Sequence, residues 1–137
     1  MSRTVFRRPA APTVRAFLVD DSALVLKLVP LCLALDGVRI VGMARSAEDA
    51  FSEIAAVRPD LIIADVCLPG IDGVEMAMEI RAENPEIKII LISIDKLKTG
   101  LPPQKQCADA FIAKTNLVDE LGPMIRLLFP KAFAAHG

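Results

Sequence analysis

The sequence predicts an α/β fold: five parallel strands alternate with helices on both faces of one doubly wound sheet, in the order 2-1-3-4-5. Three observations predict it. Short, largely apolar runs recur at residues 16–19, 38–43, 61–64, 87–92 and 111–113, and those at 16–19 and 61–64 have the pattern of strands buried on both faces. Stretches with helical apolar spacing separate most of them. Four runs end in residues of complementary chemistry: Asp20-Asp21, Asp65, Ser93 and Lys114. A parallel sheet brings all its carboxyl ends to one edge, where open α/β folds place their ligands.

Residues 1–14 read as a disordered basic tail, with Arg3, Arg7 and Arg8, two prolines and no acid. They lack the apolar core of a secretory signal. Residues 15–130 form the domain. After the first strand, Ser22 is the expected N-cap of a helix to about residue 35, with Leu24, Leu28, Leu31 and Leu35 as its apolar stripe. Pro30 lies inside it, and removing a hydrogen bond there costs roughly 3 kcal/mol, so a kink is expected near residues 26–30. Asp36-Gly37 ends the helix. Residues 38–43 give the second strand. Ser46 to Asp49 resembles a capping box, and Ala47, Ala50, Phe51, Ile54 and Val57 form the next helical stripe. Arg58-Pro59 stops it.

The third strand, 61–64, leads into Asp65 and the turn Cys67-Leu68-Pro69-Gly70. A third helix follows over about 73–83, with Val74, Ala77, Met78 and Ile80 apolar. The fourth strand ends at Ser93. Residues 95–108 should hold a helix, but Gly100, Pro102 and Pro103 interrupt it, so a loop and a short helix over 103–108 are expected. The fifth strand ends at Lys114, and the last helix runs over 117–129 with Leu121, Ile125 and Leu128 inward. Pro130 ends it, and residues 131–137 are a short tail.

At 137 residues and 53% hydrophobic, the chain fits one well-filled domain. No run approaches the roughly eighteen apolar residues of a membrane span, so no membrane insertion is expected. The net charge of −1 argues against direct nucleic-acid binding. Cys32, Cys67 and Cys107 lack CxxC spacing and fit reduced thiols in the cytoplasm.

Three carboxylates gathered at one sheet edge raise one another's pKa values unless a cation intervenes. Mg²⁺ is the natural counter-ion for such an oxygen donor set. With a hydroxyl and an ammonium beside it, the pocket suits a phosphoryl group attacked in line by a carboxylate.

The residues Asp20-Asp21-Ser22, Asp65 with Leu68-Pro69 and Gly73, Ser93, and Phe111 with Lys114 resemble the receiver domain of bacterial two-component response regulators, the flavodoxin-like CheY fold. The resemblance covers residues 15 to about 129. It implies that Asp65 is the phosphoacceptor. It implies Mg²⁺ ligation by Asp20, Asp21, Asp65 and the backbone carbonyl of Cys67. Ser93 and Lys114 would bind the phosphoryl group, and Ser93 and Phe111 would be the switch residues. Cys67, Ile94 and Asp95 would tune turnover, and the chain would phosphorylate and dephosphorylate itself without being an enzyme otherwise.

The implied partners are a sensor histidine kinase or phosphotransfer protein and an output protein. The implied output face is residues 95–108, the fifth strand and the last helix, which could also form a homodimer. Two positions depart from the family pattern. Ile94 is bulky where a small residue is usual, and could restrict access to the phosphoryl group. Thr115 stands where proline usually follows the lysine, leaving open whether the Lys114–Thr115 bond is cis.

Other readings compete. A phosphohydrolase with an aspartyl nucleophile would carry Asp-x-Asp after the first strand, whereas these acids are adjacent. A flavin module would want a glycine- and hydroxyl-rich loop there, which Asp20-Asp21 replaces. The remaining alternative is a degenerate receiver used as a phosphorylation-independent docking module.

Overall fold

The computed structural model describes residues 13–34, 36–94 and 107–133. Residues 1–12 of the expected 1–14 tail, Leu35, Asp95 and most of the 95–108 segment lie outside them; Val14, expected in that tail, instead opens the first strand and is buried, because it pairs with Val38. Five strands, β1 (Val14–Val19), β2 (Val38–Ala44), β3 (Leu61–Asp65), β4 (Lys88–Ser93) and β5 (Ala110–Ala113), form one sheet. Every pairing is parallel, and the order is β2-β1-β3-β4-β5. The helices are α1 (Ala23–Leu33), α2 (Ala47–Val57), α3 (Gly73–Glu83), α4 (Leu117–Leu128) and a short α5 (Pro130–Phe133).

Side-chain alternation along the strands divides the interior in two. Phe17, Val19, Ile62, Ala64, Ile89 and Leu91 pack with α2 and α3. Ala16, Leu18, Leu61, Ile63, Ile90 and Ile92 pack with α1 and α4. Successive residues of a strand point to opposite faces, so a run buried on both sides must be apolar throughout. That is why the central strands read as unbroken runs, whereas β2, at the edge of the sheet, leaves Arg39 and Met43 exposed. Gly42 lies opposite Phe17 in the β1–β2 register, and a Cβ on it would sit 2.5 Å from the Phe17 ring. The missing side chain makes room for the ring.

The helix ends follow the expected chemistry. The Ser22 and Ser46 hydroxyls accept hydrogen bonds from the amides of Val25 and Asp49. Asp72 caps α3 by accepting from the Glu75 amide at 2.8 Å. The inward stripe of α1 differs from expectation. Val25, Val29 and Leu33 are buried, whereas Leu24 is 71% and Leu31 74% exposed. Both stripes have the right spacing. The sheet selects the one its entry angle turns inward, and the leucines are left outside. The helix continues through Pro30 for three more residues. In α3, Met76 is buried and Met78 is exposed, the same one-step ambiguity in an apolar-rich helix. Phe129 caps α4 and Pro130 opens α5, so residues 131–133, expected in a C-terminal tail, are helical instead, because Ala132 and Phe133 pack on the α1–α4 side of the core.

Candidate functional site

The carboxyl ends of β1 and β3 hold the two acids at the centre of the sheet. Asp20 is the residue after β1. Its amide still donates to the Ala44 carbonyl, so the ladder runs into the site. Its side chain is fully buried, with Oδ1 accepting from the Ser22 amide at 2.8 Å. Asp65 ends β3 and is 4% exposed. Its Oδ1 accepts from the Cys67 amide at 3.0 Å. Asp21 stands exposed beside them. One oxygen of each of the three carboxylates lies within 4.8 Å of the others.

Lys114 supplies the opposing charge. It follows β5 and opens a 3₁₀ turn, Lys114–Asn116. Its Nζ lies 2.9 Å from Asp65 Oδ2 and 3.1 Å from Asp20 Oδ2. No described peptide bond is cis, so the Lys114–Thr115 bond is trans and the ammonium still reaches the acids.

The electrostatics follow from burial. Desolvation pushes the Asp20 carboxyl above its ordinary pKa, and the Asp65 charge adds to the rise. The Ser22 amide and Lys114 oppose it without cancelling it. For Lys114, burial alone would lower the pKa. Hydrogen bonds to Asp65 and Asp20, and their charges, outweigh burial and hold the ammonium above its usual value.

The cluster fits a hard divalent cation. Asp20 Oδ2 is buried and has ion-pair contact with Lys114 but no hydrogen bond of good geometry. A buried carboxylate oxygen left in that state wants a partner. Three carboxylates carry more negative charge than one lysine neutralises, and all donors are oxygens, which suits Mg²⁺.

Ser93, buried at 2%, ends β4, and its backbone pairs with Ala113 in the register. It stands at the same edge as the acids. Phe111 is half-buried on β5, next to Leu91 in the register, and packs on the α2–α3 side of the core. Cys67 is exposed, and its amide faces Asp65. Ile94 is 79% exposed beyond the end of β4. Gly73 permits the tight approach of α3: a Cβ there would collide with the Asp65 carbonyl oxygen. Its amide donates to the Val66 carbonyl at 2.8 Å.

Two residues of the site were missed in the sequence. Arg45, just past β2, donates from Nη2 to the Asp21 carbonyl at 2.9 Å. Glu48 at the start of α2 accepts from the Ile71 amide at 3.3 Å and so holds the turn after Asp65. The strand order carried the signal for Arg45, since β2 neighbours β1 and its end falls on the same edge. Glu48 carried none, because its partner is a backbone amide 23 positions away.

Known proteins resemble this chain in sequence and fold. The response regulator receiver domain model matches residues 16–126. The response regulator GacA of Pseudomonas viridiflava is 31% identical over 120 residues, covering 85% of this chain and 55% of its own length. A protein-glutamate methylesterase/protein-glutamine glutaminase of a Nocardioides species is 37% identical over 83 residues, covering 60% of this chain and 23% of its own. The chain thus spans about half or less of the length of these curated relatives.

Among solved structures, the response regulator TrrA of Thermotoga maritima in complex with Mg²⁺-BeF is 30% identical with a TM-score of 0.77, covering 85% of this chain and 99% of that one. The signal receiver domain of NarL from Mycobacterium tuberculosis is 28% identical with a TM-score of 0.76, covering 85% and 95%. The sheet order, the acids at its carboxyl edge and these matches agree, and the chain belongs to the family of response regulator receiver domains.

Proposed function

We propose that this receiver domain is switched by phosphorylation of Asp65. The observation that carries the reading is the Lys114 ammonium set between Asp65 Oδ2 and Asp20 Oδ2, inside a cluster of three acids. A phosphoryl group arriving at Asp65 adds oxygens that need this cation, and Lys114 is already within reach. Asp20, Asp21, Asp65 and the Cys67 carbonyl would hold Mg²⁺. When bound, the ion would screen the repulsion between the acids and the phosphoryl oxygens.

Asp65 Oδ is the nucleophile. It forms an O–P bond as the bond to the donor's leaving group breaks, giving an acyl phosphate. The donor is a sensor histidine kinase, a phosphotransfer protein or a small acyl phosphate. The Asp65 amide neighbours stay in place, because Cys67 N–H already holds Oδ1 and Gly73 lets α3 brace the strand. Ser93 and Lys114 turn toward the new charge, and β4 and β5 shift with them. Phe111, half-buried on β5, is placed to respond, and the face formed by β5 and α4 carries the change to an output protein or a second copy. Water attack on the acyl phosphate resets the site, with Cys67, Ile94 and Asp95 setting its pace.

The test is incubation with acetyl phosphate and Mg²⁺, read by intact mass. One phosphoryl increment is expected. It should be absent in Asp65→Ala and released by hydroxylamine. If neither acetyl phosphate nor Mg²⁺-dependent beryllofluoride binding modifies the wild-type chain, the switch reading fails and the domain is a docking module.

A further inference from the structure

Residues 44–48 join β2 to α2 and hold backbone groups on both sides of the acid cluster. The Ala44 carbonyl accepts from the Asp20 amide at 3.1 Å. Arg45 Nη2 donates to the Asp21 carbonyl at 2.9 Å, one residue further along the turn into α1. On the other side, Glu48 Oε2 accepts from the Ile71 amide at 3.3 Å, in the turn between β3 and α3. Gly70 leaves room for that carboxylate: its φ is +74°, and a Cβ there would lie 2.6 Å from Glu48 Oε2. The start of α2 sets the distance between the two arms. Ser46 fixes it, with its hydroxyl accepting from the Asp49 amide and its carbonyl from the Ala50 amide.

This linkage opposes a definite force. One oxygen each of Asp20, Asp21 and Asp65 lies within 4.8 Å of the others, and like charges that close repel. Asp65 is held in β3, whereas Asp21 lies beyond the end of β1 and is exposed. Repulsion therefore drives the turn that carries Asp21 away from the turn after Asp65. Two hydrogen bonds in series, from the Asp21 carbonyl through Arg45 and Glu48 to the Ile71 amide, resist that separation.

We propose that Arg45 and Glu48 are positioning residues that together clasp the two turns at the spacing a divalent cation needs. The inference rests on reading the acid cluster as a Mg²⁺ site, and not on phosphoryl transfer to Asp65. It makes Mg²⁺ affinity depend on two exposed side chains that supply no ligand. Links in series hold nothing once either is cut, so losing one arm should weaken binding as much as losing both.

Mg²⁺ titration followed by amide NMR tests this in the wild type, Arg45→Ala, Glu48→Ala and the double variant. Each single variant should bind about tenfold more weakly, as is usual when a group that orients metal ligands is removed. The double variant should also stay near tenfold, whereas independent contacts would multiply to about a hundredfold. Glu48→Gln keeps an oxygen for the Ile71 amide and should restore most of the affinity. Both side chains are exposed, so the urea midpoint in EDTA should remain that of the wild type.

Hydrogen exchange of the Ile71 amide in EDTA supplies a readout without metal. It should be about tenfold faster in Glu48→Ala, the equivalent of one hydrogen bond, and close to the wild-type rate in Glu48→Gln. Losses that multiply in the double variant, wild-type affinity in either single variant, or unchanged Ile71 exchange in Glu48→Ala would each overturn the clasp alone. A wild type that takes up no Mg²⁺ would overturn the metal site and the clasp with it.

Discussion

Lys114→Met and Asp65→Asn remove opposite partners of one ion pair and should not be equivalent. Lys114 Nζ lies 2.9 Å from Asp65 and 3.1 Å from Asp20, and its side chain is 16% exposed. At an effective dielectric near 20, each contact attracts by roughly 5 kcal/mol, and desolvation of the three groups returns much of that. Removing one partner of a buried pair costs about 3–5 kcal/mol. The residual exposure of Lys114 puts Lys114→Met at the low end, about 3 kcal/mol, or on the order of a hundredfold in the folding equilibrium.

Asp65→Asn removes the same attraction but also removes a negative charge that burdens Asp20. Its amide oxygen can still accept from the Cys67 N–H. The expected cost is below about 1 kcal/mol. Urea unfolding at neutral pH in EDTA, followed by circular dichroism, measures both. Intrinsic Trp and Tyr fluorescence has no probe in this chain. Mg²⁺ added to Lys114→Met should recover more stability than it gives the wild type, because it replaces the lost charge. Equal losses for the two variants, or no loss for Lys114→Met, would refute the assignment of Lys114 as the cluster's counter-charge.

Other outcomes follow from the same structure. Gly73→Ala sets a Cβ against the Asp65 carbonyl and should cost about 1–3 kcal/mol while slowing acetyl-phosphate labelling, read by intact mass. Leu33→Ala should cost about 2–5 kcal/mol and Leu31→Ala less than about 0.5 kcal/mol in urea unfolding. Iodoacetamide should label exposed Cys67 well before buried Cys107, whose thiol is pushed up by burial, and mass-mapped time courses would show the order. Arg45→Ala should leave unfolding within about 0.5 kcal/mol but weaken Mg²⁺ binding measured by calorimetry, since the Asp21 carbonyl loses the Arg45 side chain that anchors it.

The central strands were legible because burial on both faces writes a strand as an apolar run. The acids were legible because a charge directly after such a run has nowhere to go but the edge. Helix faces were less legible. In α1, leucines and valines occupy both stripes, and nothing local says whether Leu24 or Val25 faces the sheet; the packing angle decides, and it chose Val25. Glu48 was invisible for a different reason, since a carboxylate that accepts from a distant backbone amide leaves no spacing in the sequence.

The register explains why the site and the core are one constraint. Val19 pairs with Ala64, Asp65 with Ile92, and Ser93 with Ala113. Asp20, Asp65, Ser93 and Lys114 therefore fall within about two residues of a common level across four strands. Slipping β5 by one residue would move Lys114 about 3.3 Å along the sheet. It would also exchange Phe111 and Ile112 between the two faces. Ile112 is buried with α1 and α4, and Phe111 packs toward α2 and α3. A slip that carried the ammonium away from Asp65 would thus also drive the ring into the space of the smaller side chain. Substitutions that enlarge Ile112 should on this ground disturb Lys114 without touching it. The expected signature for Ile112→Phe is a loss of stability together with slower labelling of Asp65. Lost stability with unchanged labelling would show that β5 can repack without moving its end.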